Sequence, residues 1–427
     1  MSDIEESYSS KLAVFQKPYV ETAVTDISYV DICPKNNYDK GSSIEFYVGD
    51  SGPDYIDLSR CRLKVKARIV KPNGSKITAS NKVCFVNLTL HSLFKRVDLL
   101  LQGKNTSPDL EANYCYKALL DVLLNYGYSA KDSQLQSELY FKDVGAMDAP
   151  PGKAENPGAE KRWEYTKAGL EVTMEGPLHL DICQQNRPIL NGVTLGIKLY
   201  PQNDEFLLMS ADSTQYSVEI TDISFRVCYV RVTDAVILAQ NNVLKMSPAL
   251  YPFWRSKIKT FSVPKGISSF SSDDIFHGKV PAKLIVTLVK TQAYNGSYSL
   301  NPFNFVTGGV NSILFAVNNK SVPQEPLEPN YSTGDYISSY LTLFCNKYPH
   351  HRGNFITRSD YAAGYTIYIF DVQGQAEDEL MTNSKSGISR IALKFAAPTT
   401  DALTIIAYAI FPATLLCDHS RNIWWKE

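Results

Sequence analysis

Residues 87–128, NLTLHSLFKRVDLLLQGKNTSPDLEANYCYKALLDVLLNYGY, decide the fold, because their order of parts comes back later in the chain. An apolar segment reaches Leu93 and Phe94, and a strand over 97–101 stops at Gln102, Gly103 and Lys104. After a break at Ser107 and Pro108, Tyr116, Leu119, Leu120, Leu123 and Leu124 fall three and four apart, which predicts a helix ending at Gly127. The same order returns with Asn304 and Phe305, a strand over 313–317, polar Asn318, Asn319 and Lys320, then Ser321 and Pro323. Tyr336, Tyr340, Leu343 and Phe344 then repeat the helical spacing. Residue identity between the two stretches is low and the order is shared, so the chain reads as two copies of one architecture.

Working outward, 427 residues suit two domains of roughly 200 residues each. Tyr (26) and Phe (19) outnumber Met (6), which favours β structure over packed helices. Residues 1–40 carry little periodicity and read as an N-terminal arm. Alternation begins at Ile44, Phe46 and Val48. Next, Leu63, Val65, Ala67 and Ile69 oppose Arg62, Lys64, Lys66 and Arg68, a period-two strand with one buried and one basic face, closed by the turn at Pro72, Asn73 and Gly74. Residues 131–167, rich in Gly, Pro, Ala and charge, predict a long exposed loop. Strands resume at Val193, Leu195, Ile197 and Leu199. The apolar phase then shifts between Ile220 and Ile223, which predicts a β-bulge near Thr221 and Asp222. Residues 232–247 predict a short helix leading out of the first half, and the later apolar runs at 284–289, 365–370, 391–395 and 403–411 predict further strands. The fold class is therefore mainly β, with two antiparallel sandwiches, 41–240 and 241–427, about one short helix in each, and a C-terminal tail.

Composition narrows the function. A formal net charge of -1 removes the whole-chain basic signature of a dedicated nucleic-acid binder. The eight cysteines are scattered without a C-x-x-C pair, so they read as reduced, buried small hydrophobes of a protein made in a reducing compartment. The acidic, polar start is unlike a signal peptide, and no apolar run has the length of a membrane span. The nucleophile elbow, P-loop, dinucleotide glycine fingerprint and H-E-x-x-H are missing from the sequence, so no catalytic, cofactor-binding or metal-ligating residues are assigned. His350 and His351 follow Tyr348 and Pro349 and read as loop surface, and Glu377, Asp378 and Glu379 as a solvated acidic loop. Two candidate contact features remain. The row Arg62, Lys64, Lys66 and Arg68 is either a basic face for nucleic acid or an acidic neighbour, or the wet side of a strand. Trp424 and Trp425 near the end need a docking surface, within the chain or on another subunit.

The segments LHSLFKRVDLLLQGK, YCYKALLDVLLNYG and LYFKDVGAMD resemble the hexon-like major capsid proteins of Polinton or Maverick elements, adintoviruses and polinton-like viruses. PLHLDICQQNRPILNGVTLGIKLY, NGSYSLNPFNF, YLTLF, YAAGYTIYIFD and ALTIIAYAIFPATLLCDHSRNI follow in the same order, so the resemblance spans about 90–423. The stretch from Cys345 to Pro349 and the loop around Pro150 depart from the family pattern. The resemblance implies a double jelly roll of two eight-stranded sandwiches, assembled as a homotrimer of pseudo-hexagonal outline that tiles an icosahedral virion capsid. It implies a structural role with no enzyme activity and no small-molecule substrate. The partners it implies are further copies of the chain and penton or minor capsid proteins, with packaged DNA or an inner membrane as further candidates; residues 131–167 become an exterior or intertrimer loop. Rival readings are a carbohydrate- or ligand-binding β-sandwich, a jelly-roll metal enzyme, and an endogenised capsid gene with a cellular role.

Overall fold

The computed structural model describes residues 21–36, 41–49, 52–212, 214–344, 353–372 and 385–426. Residues 1–20 of the arm, Cys345, His350, His351 and the acidic loop at 377–379 lie outside them. In the first half, β1 (Val24–Ile32), β2 (Ile44–Val48), β3 (Arg62–Val70), β4 (Phe94–Leu101), β5 (Lys104–Asn105), β6 (Val172–Gly176), β7 (Leu195–Pro201) and β8 (Ser217–Val232) form two sheets. Their orders are β1-β8-β3-β6 and β2-β7-β4-β5. In the second half, β9 (Ala249–Val263), β10 (Ser269–Ser272), β11 (Lys283–Lys290), β12 (Val310–Val317), β13 (Lys320–Ser321), β14 (Ile367–Asp371), β15 (Ser389–Phe395) and β16 (Leu403–Cys417) do the same. Their orders are β9-β16-β11-β14 and β10-β15-β12-β13. Each second-half order is the first-half order with every strand number advanced by one full set, and all of these pairings are antiparallel. First strand beside last and second beside next-to-last is the jelly-roll winding, so the chain is a double jelly roll.

Local sequence accounts for this winding. Ile44, Phe46 and Val48 of β2 and Leu195, Ile197 and Leu199 of β7 pair across one buried face. Leu63, Val65, Ala67 and Ile69 of β3 face them from the other sheet, each apolar side chain contributing about 1.5–3 kcal/mol for full burial of a Val, Leu or Ile. The predicted bulge is present as a register shift between Ile220 and Asp222. Both copies also close β4–β5 and β12–β13 in the same way. Gln102 and Gly103 have φ of 48° and 74°, and Asn318 and Asn319 have 50° and 64°. Leu101 pairs with Lys104 and Val317 with Lys320, which makes both turns two-residue hairpins of the type that needs positive φ at each central position. Nothing crowds a side chain at Gly103. Gly103→Val should therefore destabilise through backbone strain alone, by about 1–2 kcal/mol in chemical denaturation, while Gly103→Asn should cost much less.

Among the helices are α1 (Tyr114–Asn125), α2 (Pro157–Thr166), α3 (Asp234–Leu244) and α4 (Ile337–Leu341), the last running into a 3-10 turn, Thr342–Phe344. α1 lies between β5 and β6, and α4 between β13 and β14, the same connection in each copy. α1 is the longer and is buried on nearly every side. It stops at Asn125 because Tyr126 is extended, and Gly127, at φ −79°, is not the left-handed stop that the sequence suggested. α3 occupies the predicted exit from the first half.

One expectation about the connections is corrected: residues 131–167 are not simply an exposed loop. Asn156 caps α2, Pro157 opens it, and Arg162 within it is fully buried. A side chain at Gly158 would strike the carbonyl oxygens of Phe141 and Lys142, so glycine permits α2 to seat there. Composition reflects apolar area and does not register burial through a satisfied guanidinium. In the described part of the arm, Val24–Ile32 pairs along β8 as an edge strand. Of the cysteines, Cys61, Cys84, Cys115, Cys183, Cys228 and Cys417 are free and buried, whereas Cys33 is exposed. Burial pushes the thiols of Cys61, Cys84 and Cys115 up to about 12, so they are inert packing groups.

Candidate functional site: the seam between the two halves

The second-half sheet β9-β16-β11-β14 is buried on both faces, which explains the unbroken apolar runs at 284–289 and 403–411. Leu284, Val286, Leu288, Ile405, Ala407 and Ala409 point into the second sandwich. Their neighbours Ile285, Val289, Ile406 and Tyr408 belong instead to a core continuous with the first half. Tyr116 of α1 stacks on Tyr294 with ring centroids 5.7 Å apart and meets Phe303 edge-on. Thus α1 belongs to the first half in sequence and packs against the second.

A polar network lies inside this apolar seam. Lys117 Nζ sits 2.6 Å from Asp121 Oδ2, one turn along α1, and 3.1 Å from Asp181 Oδ1. Asp181 accepts from the backbone N–H and hydroxyl of Ser256 on β9, and Asp121 accepts from the Tyr408 hydroxyl on β16. Burial alone would lower the Lys117 pKa, and the two carboxylates outweigh it and hold the ammonium charged. The same network reaches His179, whose Nδ1 is 3.8 Å from Asp121, and through it Glu138 and His91. Each member is buried.

A second cluster ties the corrected segment into the seam. Arg162 donates to Phe85 O, Phe141 O and Asp143 Oδ1 at 2.8, 2.9 and 2.8 Å. Asp143 then accepts through Oδ2 from Asn301 and through its carbonyl from the Tyr365 hydroxyl, both second-half residues. Lys142 pairs with Asp360 at 2.6 Å, and Lys131 donates to Leu123 O and Asn354 O. The long connections that carry α1 and α4 therefore clasp each other. The arrangement can fix the angle between two sandwiches; none of these groups lines an open cleft where a substrate could be turned over.

The residues singled out from sequence lie elsewhere. Arg62, Lys64, Lys66 and Arg68 form the outward row of β3, as expected for the wet side of a strand, and carboxylates of neighbouring strands lie among them. Arg68 makes a two-bond pair with Glu219, Lys66 lies 3.4 Å from Asp222, and Arg226 next to Arg62 bonds Asp31 and Glu175. Neighbouring strands supply carboxylates that strand-by-strand reading could not see. Near the C-terminus, Ile423–Lys426 pairs antiparallel along the end of β16. Trp425 packs against the core under Arg255, whose guanidinium lies 5.3 Å from its ring and bonds Asp109, while Trp424 remains 39% exposed. Sequence reading missed the seam network. Its signal was Lys117 and Asp121, four apart in an otherwise apolar helix.

No family model matches the chain. An uncharacterized protein of Caenorhabditis elegans is 25% identical over 425 residues, covering 95% of this chain and 98% of its own. Among solved structures, a chain of the Sputnik virophage aligns with a TM-score of 0.63 at 12% identity, over 99% of this chain and 93% of that one. The Faustovirus major capsid protein aligns with a TM-score of 0.59 at 11% identity, over 94% and 92%. A chain of the PBCV-1 virus capsid gives 0.56 at 11%, over 97% and 100%. The likeness is one of fold along the whole chain, both sandwiches included.

Proposed function

We propose that this chain is the major capsid subunit of a DNA virus or virus-like mobile element of the Polinton, adintovirus and polinton-like group. In this reading its two jelly rolls, 41–240 and 241–427, form a trimer of pseudo-hexagonal outline that tiles an icosahedral shell. The observation that carries the reading is the repetition of both four-strand orders in two halves, joined by a core that runs from the first half onto the inner sheet of the second. Whole-chain likeness in fold to a virophage chain and two virus capsid chains supports it, as does the order of sequence motifs. A full-length relative in an animal fits an element carried in host genomes.

The seam supports trimerisation by a symmetry argument. Six similar sandwiches in a ring alternate contacts within a chain and between chains, so the contact within one chain is a template for the contact between two. Within the chain, the connection bearing α1 covers the outer face of the second half's β9-β16-β11-β14 sheet. Between chains, the connection bearing α4 would cover the outer face of the first half's β1-β8-β3-β6 sheet. That face carries the half-exposed charged row of β3, and its edge strand β1 exposes Ile27, Tyr29 and Val30. Leu238, Val243 and Met246 on and just after α3, and Trp424, add apolar surface suited to other copies. Penton or minor capsid proteins, packaged DNA and an inner membrane are the further partners of this reading, and it assigns no catalytic chemistry.

Obligate interfaces bury on the order of 2,000 Å² or more, so a trimer should persist at micromolar concentration. Light scattering should give three times the chain's 47.7 kDa mass. Tyr29→Glu combined with Leu238→Glu should shift the mass toward one chain while leaving the circular dichroism spectrum unchanged. A folded wild-type monomer at that concentration would refute the proposal.

A further inference from the structure

His91, Glu138 and His179 come together from three distant parts of the first half, and their ligand-type atoms all lie within 4.8 Å of one another. His91 Nε2 is 3.1 Å and His179 Nε2 3.9 Å from the same oxygen, Glu138 Oε2. All three side chains are buried. The distance from His179 is too long for a hydrogen bond, and its Nε2 has no hydrogen-bond partner among the described residues. An orphaned imidazole nitrogen, at most 2% exposed and aimed at a carboxylate already approached by a second imidazole, calls for an atom that all three can bind.

We propose that these three side chains bind one divalent transition-metal ion, with zinc the best match to two imidazoles and a carboxylate. The surroundings support each ligand. His91 Nδ1 is 2.9 Å from the Tyr114 hydroxyl, which fixes the ring and leaves Nε2 directed at Glu138. His179 Nδ1 lies 3.8 Å from Asp121 Oδ2, on the side of the ring from which a carboxylate commonly orients a metal-bound imidazole. Charge points the same way. Asp121, Glu138 and Asp181 bring three carboxylates to the network against the one permanent cation that binds two of them, Lys117. With both imidazoles neutral and metal-bound, a divalent ion closes that balance. Since His91, Glu138 and His179 are each buried, the ion is structural: it pins residue 138, in the segment after α1, to His91 before β4 and His179 after β6, directly behind the seam. This inference goes beyond the capsid reading and does not rest on it.

The test is metal analysis of the full-length chain, purified from zinc-supplemented cells and, separately, refolded from denaturant with zinc or cobalt. About one ion per chain is expected in each preparation, since a buried site takes up its metal as it folds. The cobalt form should show the visible absorption of a low-symmetry nitrogen and oxygen site, and refolding with a chelator should lower the thermal midpoint. His91→Gln and His179→Gln should each reduce bound metal at least about tenfold, the usual scale for disturbing a metal site. If those variants fail to fold, the wild-type stoichiometry and chelator effect decide. Wild-type protein without stoichiometric metal in both preparations, an ordered water between the three side chains, or undiminished metal in the folded variants would each overturn the proposal.

Discussion

Arg162→Met should destabilise the protein by about 3–5 kcal/mol, the cost of leaving a buried charge without its partner. The substitution strands Asp143, the Phe85 carbonyl and the Phe141 carbonyl together, because one planar fork serves all three. Lysine cannot repair it, since a single ammonium does not reproduce the fork's geometry. Arg162→Lys should therefore recover only part of the lost stability. The effect reaches the second half, as Asp143 also anchors Asn301 and Tyr365. Limited proteolysis is the direct check: residues 131–167 should resist cleavage in the wild-type chain and become the first cleavage site in the variant. Asp143→Asn in the Arg162→Met background should recover part of the stability by removing the unpaired carboxylate.

The second large effect is expected at Lys117. Removing its ammonium in Lys117→Met leaves Asp121 and Asp181 facing each other inside the seam, again at a cost of about 3–5 kcal/mol in chemical denaturation. Asp181 keeps its bonds from Ser256, so the larger strain falls on Asp121, whose remaining donors are Tyr408 and Gln184. Lys117→Met with Asp121→Asn should thus cost clearly less than the sum of the two single changes. Strict additivity would mean that the pair is not coupled. Both experiments ask whether the halves are held by specific polar contacts as well as by shared apolar area.

The duplication was legible because it is written in local terms. Positive-φ turn residues at Gln102 and Gly103 and at Asn318 and Asn319, the period-two strand at 62–70 and the phase slip at Ile220 are each decided within a few residues. What depends on distant partners was not legible. Arg162 reads as one more charge in a hydrophilic stretch until Phe85 and Phe141 present it with carbonyls. The row from Arg62 to Arg68 reads as basic until β6 and β8 bring Glu175, Glu219 and Asp222 alongside. His91 and His179, with Glu138 between them in sequence, match no spacing rule, because the jelly-roll winding rather than a helix or loop brings them together. Lys117 and Asp121 are the intermediate case, visible as a charged pair on an apolar helix but without an indication of what they face.

The claim that matters most is that one chain supplies two equivalent sandwiches to a six-sided block. Electron microscopy of the purified full-length protein tests it directly. The account predicts three-fold particles of near-hexagonal outline, with six sandwich densities arranged in a ring and the α4 connection of each chain lying on the β1-β8-β3-β6 sheet of the next. Isolated two-lobed monomers, or a symmetric assembly in which that sheet stays bare, would contradict it.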